Sequence, residues 1–233
     1  MQTIAPIHLA AGHAHDVDLD DTFDFLNTFD HENGAPVERL PTLEAALDWF
    51  VERGVIHGEG ADGVRGQAVA QPAIAARDLA HVHAVRDAMR VVSHAVVARR
   101  TPSPASLDTV NGALHARQVI ELVAASDGAG VDHRHVGDPI DDALARLADP
   151  LVRELTSGHP ERVKVCANDR CEWIFYDATR TSRRRWCDMS TCGNRAKAAR
   201  HRARERAARS GLQPPEADRP DPGLGAAGDD RPD

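Results

Sequence analysis

The apolar positions of this chain recur mostly with the period of a helix. Leu43, Ala46, Leu47, Phe50 and Val51 form one face of a segment that Thr42 caps and Gly54 ends. The longest such stretch runs from about Ile74 to Arg99, with Leu79, Val82, Val85, Met89, Val92 and Val96 three or four residues apart, until Thr101-Pro-Ser-Pro breaks it. Ser106–His115 and Pro139–Ser157 read as further helices, the second restarting at Asp149-Pro150. Between Val17 and Phe29 the apolar residues suit a strand or the first turns of a helix, with Asp20-Asp21-Thr22 as caps for a start near Phe23. Strand-like runs are short: Val119–Ala125, then Val163–Cys166 and Trp173–Tyr176 as a hairpin. Residues 57–71 are glycine-rich and expected to be a loop, Gly128–Gly137 reads as turns, and residues 1–15 lack periodicity. The pattern predicts a mostly α protein of the α+β kind. It has a helical body over 1–160, a small module over 161–210, and, after a stop at Gly211, an acidic disordered tail over 211–233.

Charge sharpens that division. Net charge is -8, but residues 1–160 carry 12 Arg against 24 acids, residues 161–210 carry 14 Lys and Arg against 6 acids, and the tail carries 2 Arg against 6. A basic module on an acidic body points to an anionic partner. Arg183, Arg184, Arg185, Arg195, Lys197, Arg200, Arg202, Arg204 and Arg206 are the candidate nucleic-acid contacts. Along the last helix Ala196, Ala199, Ala203 and Ala207 make a small-residue stripe that the basic positions flank.

All four cysteines fall in this module, spaced Cys166-x4-Cys171, fifteen residues, Cys187-x4-Cys192. Two close pairs on a hairpin's length of chain suit a tetrahedral Zn2+ site of four thiolates. Two disulfides are the alternative. They need an oxidising compartment, whereas the N-terminus lacks the features of a secretory signal and no run of residues is long and apolar enough for a membrane span, so a cytoplasmic location is expected. Fifty residues bury little core, so zinc is expected to hold the module and to matter little for residues 1–160. Trp173, Phe175, Tyr176 and Trp186 are four of the nine aromatics, suited to a small core or to base stacking. The pairs His13/His15, His81/His83 and His133/His135 lack a third ligand at fixed spacing, and Gly58-x-Gly60-x-x-Gly63 matches a dinucleotide fingerprint by count only, with no strand before it. No catalytic triad or metalloprotease motif occurs, and no enzyme is expected.

The segments Cys166-Ala-Asn-Asp-Arg-Cys171-Glu-Trp-Ile-Phe-Tyr-Asp177 and Arg184-Arg-Trp-Cys187-Asp-Met-Ser-Thr-Cys192-Gly-Asn-Arg195-Ala-Lys197 resemble the CGNR zinc finger, a module of zinc-ribbon or treble-clef character. The body resembles the ABATE domain, through Asp24-Phe-Leu-Asn27-Thr28, Val85-Arg86-Asp-Ala-Met-Arg90 and Val110-Asn111. The resemblance implies a stress-linked transcription regulator with the four cysteines as zinc ligands. Carried onto the body, it singles out Asn27, Arg86 and Asn111 as lining a small-ligand pocket, with Arg86 as anion anchor; a buried Arg–Asp pair or a helix-capping Asn is the structural alternative. DNA binding in transcriptional control is the leading function. RNA binding through the same surface, and a ligand sensor whose finger is a protein-interaction element, stand as alternatives. A small-molecule effector and a homodimer are compatible with each.

Overall fold

The computed structural model describes residues 17–32, 34–115, 118–125, 128–135 and 138–210. The tail 211–233, the Gly211 stop, the segment 1–15 and the His13/His15 pair lie outside the described residues. Seven α-helices and three two-stranded antiparallel hairpins are described, so the protein is mostly α. The chain divides into two compact units, one ending at Cys187 and the other starting at Asp188.

In the first unit, helix α1 (Leu19–Leu26) begins earlier than the acidic cluster near Phe23 suggested. Asp18 caps it through the Asp21 amide, and the Asp21 carboxylate answers at the Asp18 amide, a reciprocal capping box. The hairpin β1 (Phe29–Glu32) and β2 (Ala35–Glu38) follows. Helix α2 (Leu43–Glu52) is capped by the Thr42 hydroxyl, which accepts from the Ala45 amide at 3.1 Å, and Gly54 leaves it at φ +64°, a conformation that costs glycine nothing.

Residues expected to form a loop are instead helix α3 (Gly58–Ala70). Ala61 and Val64, three apart, are buried in the core, and that tertiary anchoring outweighs the poor helix propensity of the glycines. At Gly60 close packing uses the missing side chain, since a Cβ there would stand 3.2 Å from Ile56. Pro72 then opens the long helix α4 (Pro72–Val97), two residues before the expected start. Helix α5 (Pro104–Leu114) is capped by Ser103. Strand β3 (Gln118–Ala125) pairs in full register with β4 (Gly128–His135), where turns were expected. A strand's backbone groups need a partner, and the adjoining segment supplies it despite its glycines.

Helix α6 (Pro139–Ser157) runs through Pro150 without the expected restart. Its buried stripe of Ile140, Ala143, Leu144, Leu147, Ala148 and Leu151 straddles the proline, so packing holds both halves to one axis. The Thr22 hydroxyl also donates to the Leu147 carbonyl at 2.9 Å. After a 3-10 turn (Pro160–Arg162) comes the hairpin β5 (Val163–Val165) and β6 (Ile174–Tyr176), in the predicted place.

One hydrophobic core joins α1, α2, α4 and α6. Phe25, Trp49 and Phe50 form an aromatic triangle with centroids 5.7–6.0 Å apart. Val163 and Ile174, from the last hairpin, belong to the same core. The hairpin is therefore a side of the helical body, and the expectation that a metal at its tip matters little to residues 1–160 gives way.

A charged pair secures the other flank. Arg86 of α4, 1% exposed, donates from both terminal nitrogens to the two oxygens of Glu38 at 2.7 and 2.6 Å. Burial alone pushes the Glu38 carboxyl up, but the bonds from Arg86 and from the Leu40 amide hold it below its ordinary value. A carboxyl lowered by folding stabilises the protein at higher pH, and that contribution fades as pH falls through the folded-state pKa. Glu38→Gln leaves the buried Arg86 with Asp87 as its one remaining ion-pair partner among the described residues, and is expected to cost about 1–3 kcal/mol in urea unfolding at neutral pH. The gap to the unmodified protein should narrow in acid. A variant as stable as the parent at neutral pH would contradict the pairing.

Candidate metal centre and its arginine loop

Cys166 follows β5 directly, and its amide donates to the Trp173 carbonyl at 2.8 Å, closing the hairpin tip. Within the tip the Cys171 amide donates to the Asn168 carbonyl at 2.9 Å, and Glu172 takes φ +56°, which turns the chain back into β6. The Ala167 amide donates to the Arg185 carbonyl at 2.8 Å and so draws the Arg185–Cys187 segment alongside. The second unit opens on Asp188, whose side chain caps a π-helical turn (Met189–Gly193) by accepting from the Thr191 amide at 2.7 Å and from the hydroxyls of Ser190 and Thr191. Helix α7 (Asn194–Ser210) continues from it.

The ligand atoms of Cys166, Cys171, Cys187 and Cys192 all lie within 4.8 Å of one another, and none is in a disulfide. The Cys171 and Cys187 sulfurs are 3.6 Å apart. A tetrahedron of thiolates around an ion at ~2.3 Å has edges of roughly 3.8 Å, so the donors fit a tetrahedral metal site. The hydrogen bond with Cys166, burial, and the neighbouring sulfurs' charge together push the Cys187 thiol far up. Four thiolates at this range repel one another, and a cation among them lets all four ionise.

The loop between β6 and Cys187 holds three of the candidate arginines, and its anchor is a residue that the sequence reading passed over. Asp177 is fully buried. One oxygen accepts from the Thr179 amide at 3.0 Å and from its hydroxyl, and the other accepts from the Arg184 amide at 2.7 Å. Burial pushes this carboxyl up, but those bonds prevail and hold it below its ordinary value. An Asp two residues before a Thr at a strand end is the signal that could have found it.

Arg184 is exposed like its two neighbours, but its side chain is engaged. Its guanidinium donates to the Trp186 carbonyl at 2.9 Å and to the Cys187 carbonyl, and lies over Phe175 with 4.7 Å to the ring centroid. Arg183 is exposed, and Arg185 is exposed over Trp186 at 5.1 Å. Phe175 is buried, whereas Trp173, Tyr176 and Trp186 are half-buried. In the second unit Arg195, Lys197, Arg200, Arg202, Arg204 and Arg206 are all exposed on α7; of the alanine stripe, Ala196 and Ala207 are half-buried while Ala199 and Ala203 are exposed.

The three body residues do not converge. The Asn27 side chain donates to the Ile174 carbonyl at 2.7 Å and accepts from the Ile174 amide at 3.0 Å, acting as an extra rung on β6. It borders a cleft of about 410 Å³ with Trp173 and Arg184, its amide already engaged. Arg86 is bound to Glu38, to Asp87 at 3.1 Å and to the Thr28 hydroxyl at 3.2 Å. Asn111 is exposed on α5. His81 and His83 have different partners, Asp141 at 3.0 Å and the Leu40 carbonyl at 2.9 Å. No described helix is long and apolar enough to cross a membrane.

Asp177→Asn keeps the size of the side chain but replaces an acceptor with a donor facing an N–H or hydroxyl. Trypsin cleavage at Arg180–Arg185 is expected to accelerate more than about tenfold, as a loss near 1.4 kcal/mol of loop closure requires. Cleavage at the parental rate would show that Asp177 does not hold the loop.

Residues 162–205 match the family model of the CGNR zinc finger, and residues 22–158 match that of the ABATE domain, described as "Putative stress-induced transcription regulator". No curated protein matches the chain. The finger match spans all four clustered cysteines, and the other match covers α1 through α6, more than half of the sequence. The chain belongs to the ABATE family, with a CGNR zinc finger at its C-terminal side.

Proposed function

We propose that this protein is a zinc-dependent, DNA-binding regulator of transcription, acting in the cytoplasm, and not an enzyme. The observation that carries the reading is the set of exposed arginines tied to the four-cysteine site. Arg183 and Arg185 flank it on a loop pinned by Asp177, and α7 begins two residues after Cys192 with its basic side chains exposed. Membership in a family of transcription regulators supports the same reading. Zinc is the ion assigned, because four thiolates at tetrahedral spacing suit it and it brings no redox chemistry. When bound it supplies charge and fixed geometry. The chain's own residues orient the guanidinium groups, and arginines held in place lose less entropy on meeting phosphate. RNA is the second reading, favoured by the half-buried Trp186 under Arg185, a stacked pair that suits an unpaired base.

Binding to duplex DNA is expected to weaken with salt at a slope of ~-0.9 per phosphate neutralised. Arg183→Ala with Arg185→Ala, and Arg200→Ala with Arg204→Ala, should each make that slope shallower. Arg184→Ala should instead lower stability and leave the slope of the remaining folded protein almost unchanged. Equal slopes for all variants would remove the phosphate assignment. Single-stranded competitors that quench tryptophan and displace duplex would favour RNA.

Zinc removal by a strong chelator, or Cys171→Ala, is expected to lower the main thermal transition by more than about 5 °C, since the hairpin carrying two ligands is part of the body's core. A body transition that does not move would show that the finger and the helices are energetically separate.

A further inference from the structure

Two arginines lie one turn apart on α4, and their surroundings differ. Arg86 and Arg90 both stack over Phe29, at 5.4 and 5.6 Å from the ring centroid. Arg86 has Glu38 and Asp87 for its charge. Arg90 is only 7% exposed and donates to the Leu26 carbonyl at 2.8 Å, yet among the described residues no carboxylate comes within ion-pairing distance of it. A buried cation without a counter-ion is costly, and a site that retains one is suited to a visiting anion. Burial and the charge of Arg86 push the Arg90 guanidinium below its ordinary range, although the more distant carboxylates of Asp87, Glu172 and Asp30 offset part of the effect.

Arg90 lines an open cavity of about 520 Å³. Arg100, which is exposed and also has no carboxylate within ion-pairing distance among the described residues, lines it too. Of the two acids on its wall, Asp87 is paired with Arg86 at 3.1 Å, and Glu172, half-exposed, stands 3.5 Å from His31. Burial and the charge of Arg90 push the His94 imidazole below its ordinary value, which favours a neutral ring able to bond to a ligand. Phe29, Val91 and Ala95 give the cavity an apolar wall.

We propose that this cavity binds a small organic carboxylate, its carboxyl group between Arg90 and Arg100 and its apolar part against Phe29 and Val91. The volume suits a small molecule, and a guanidinium fork matches a carboxylate in plane and spacing. Inorganic phosphate would use the arginines but not the apolar wall. Glu172, next in sequence to the ligand Cys171, gives the site a wall on the metal knuckle, so occupancy can be felt there. The assignment stands whether or not the protein binds nucleic acid.

The test uses the zinc-loaded full chain at constant ionic strength, with benzoate, its neutral counterpart benzamide, and inorganic phosphate as probes. Benzoate is expected to raise the melting temperature saturably below about 20 mM and to shift the Arg90 Nε–H resonance, and benzamide to do neither. Arg100→Ala, at an exposed position, should weaken benzoate about tenfold, and Val91→Trp, which fills the cavity, should abolish its effect. Arg90→Lys should weaken it comparably while keeping the buried charge. Equal responses to benzoate and benzamide, no saturable response to benzoate, unchanged benzoate binding in Arg100→Ala and Val91→Trp, or tighter binding of phosphate would each overturn the proposal.

Discussion

Four sulfurs within 4.8 Å of one another form the constraint on which the C-terminal part of this molecule rests. As thiolates they repel strongly, and the hydrophobic core takes in Val163 and Ile174 of the hairpin but, among the described residues, nothing after Tyr176. A bound cation turns that repulsion into cohesion and fixes where the chain enters and leaves each pair. The Arg180–Arg185 loop is then held from both ends, by the Asp177 carboxylate at its start and by Cys187 at its finish. All three arginines of the loop are exposed, and Arg184 differs in giving its guanidinium to the carbonyls of Trp186 and Cys187.

The helical body and the β5–β6 hairpin share a second dependency. Asn27 presents its amide to both backbone groups of Ile174, while Ile174 and Val163 enter the core made by α1, α4 and α6. That arrangement makes the hairpin tip, with Cys166 and Cys171, an extension of the body. A change in the body near Glu172 or His31 can therefore reach the metal ligands through a short path of packed residues and backbone.

Much of this was legible in the sequence where the signal is local. Thr42 and Gly54 bound α2 because capping and left-handed exit are properties of single residues. The cysteine spacing pointed to the metal site because ligand geometry restricts it. What was missed depends on distant partners. The glycines of α3 disguise a helix held by the burial of Ala61 and Val64, and Pro150 sits in a continuous helix because the stripe around it is buried. Strand β4 exists through its pairing with β3. Arg86 and Arg90 look alike in the sequence, and only the fold gives one of them Glu38 and leaves the other facing a cavity. Asn27 reads as a pocket residue until Ile174 is seen against it.

The central claim is that a metal ion, which we assign as zinc, joins all four cysteines and thereby sets the arginine loop. X-ray absorption at the zinc edge on the purified, reduced protein tests it most directly. The account predicts one zinc per chain with four sulfur neighbours at about 2.3 Å and no nitrogen or oxygen in the first coordination sphere. Mixed sulfur and nitrogen or oxygen ligation, or a protein that folds with paired cysteines and no metal, would contradict it.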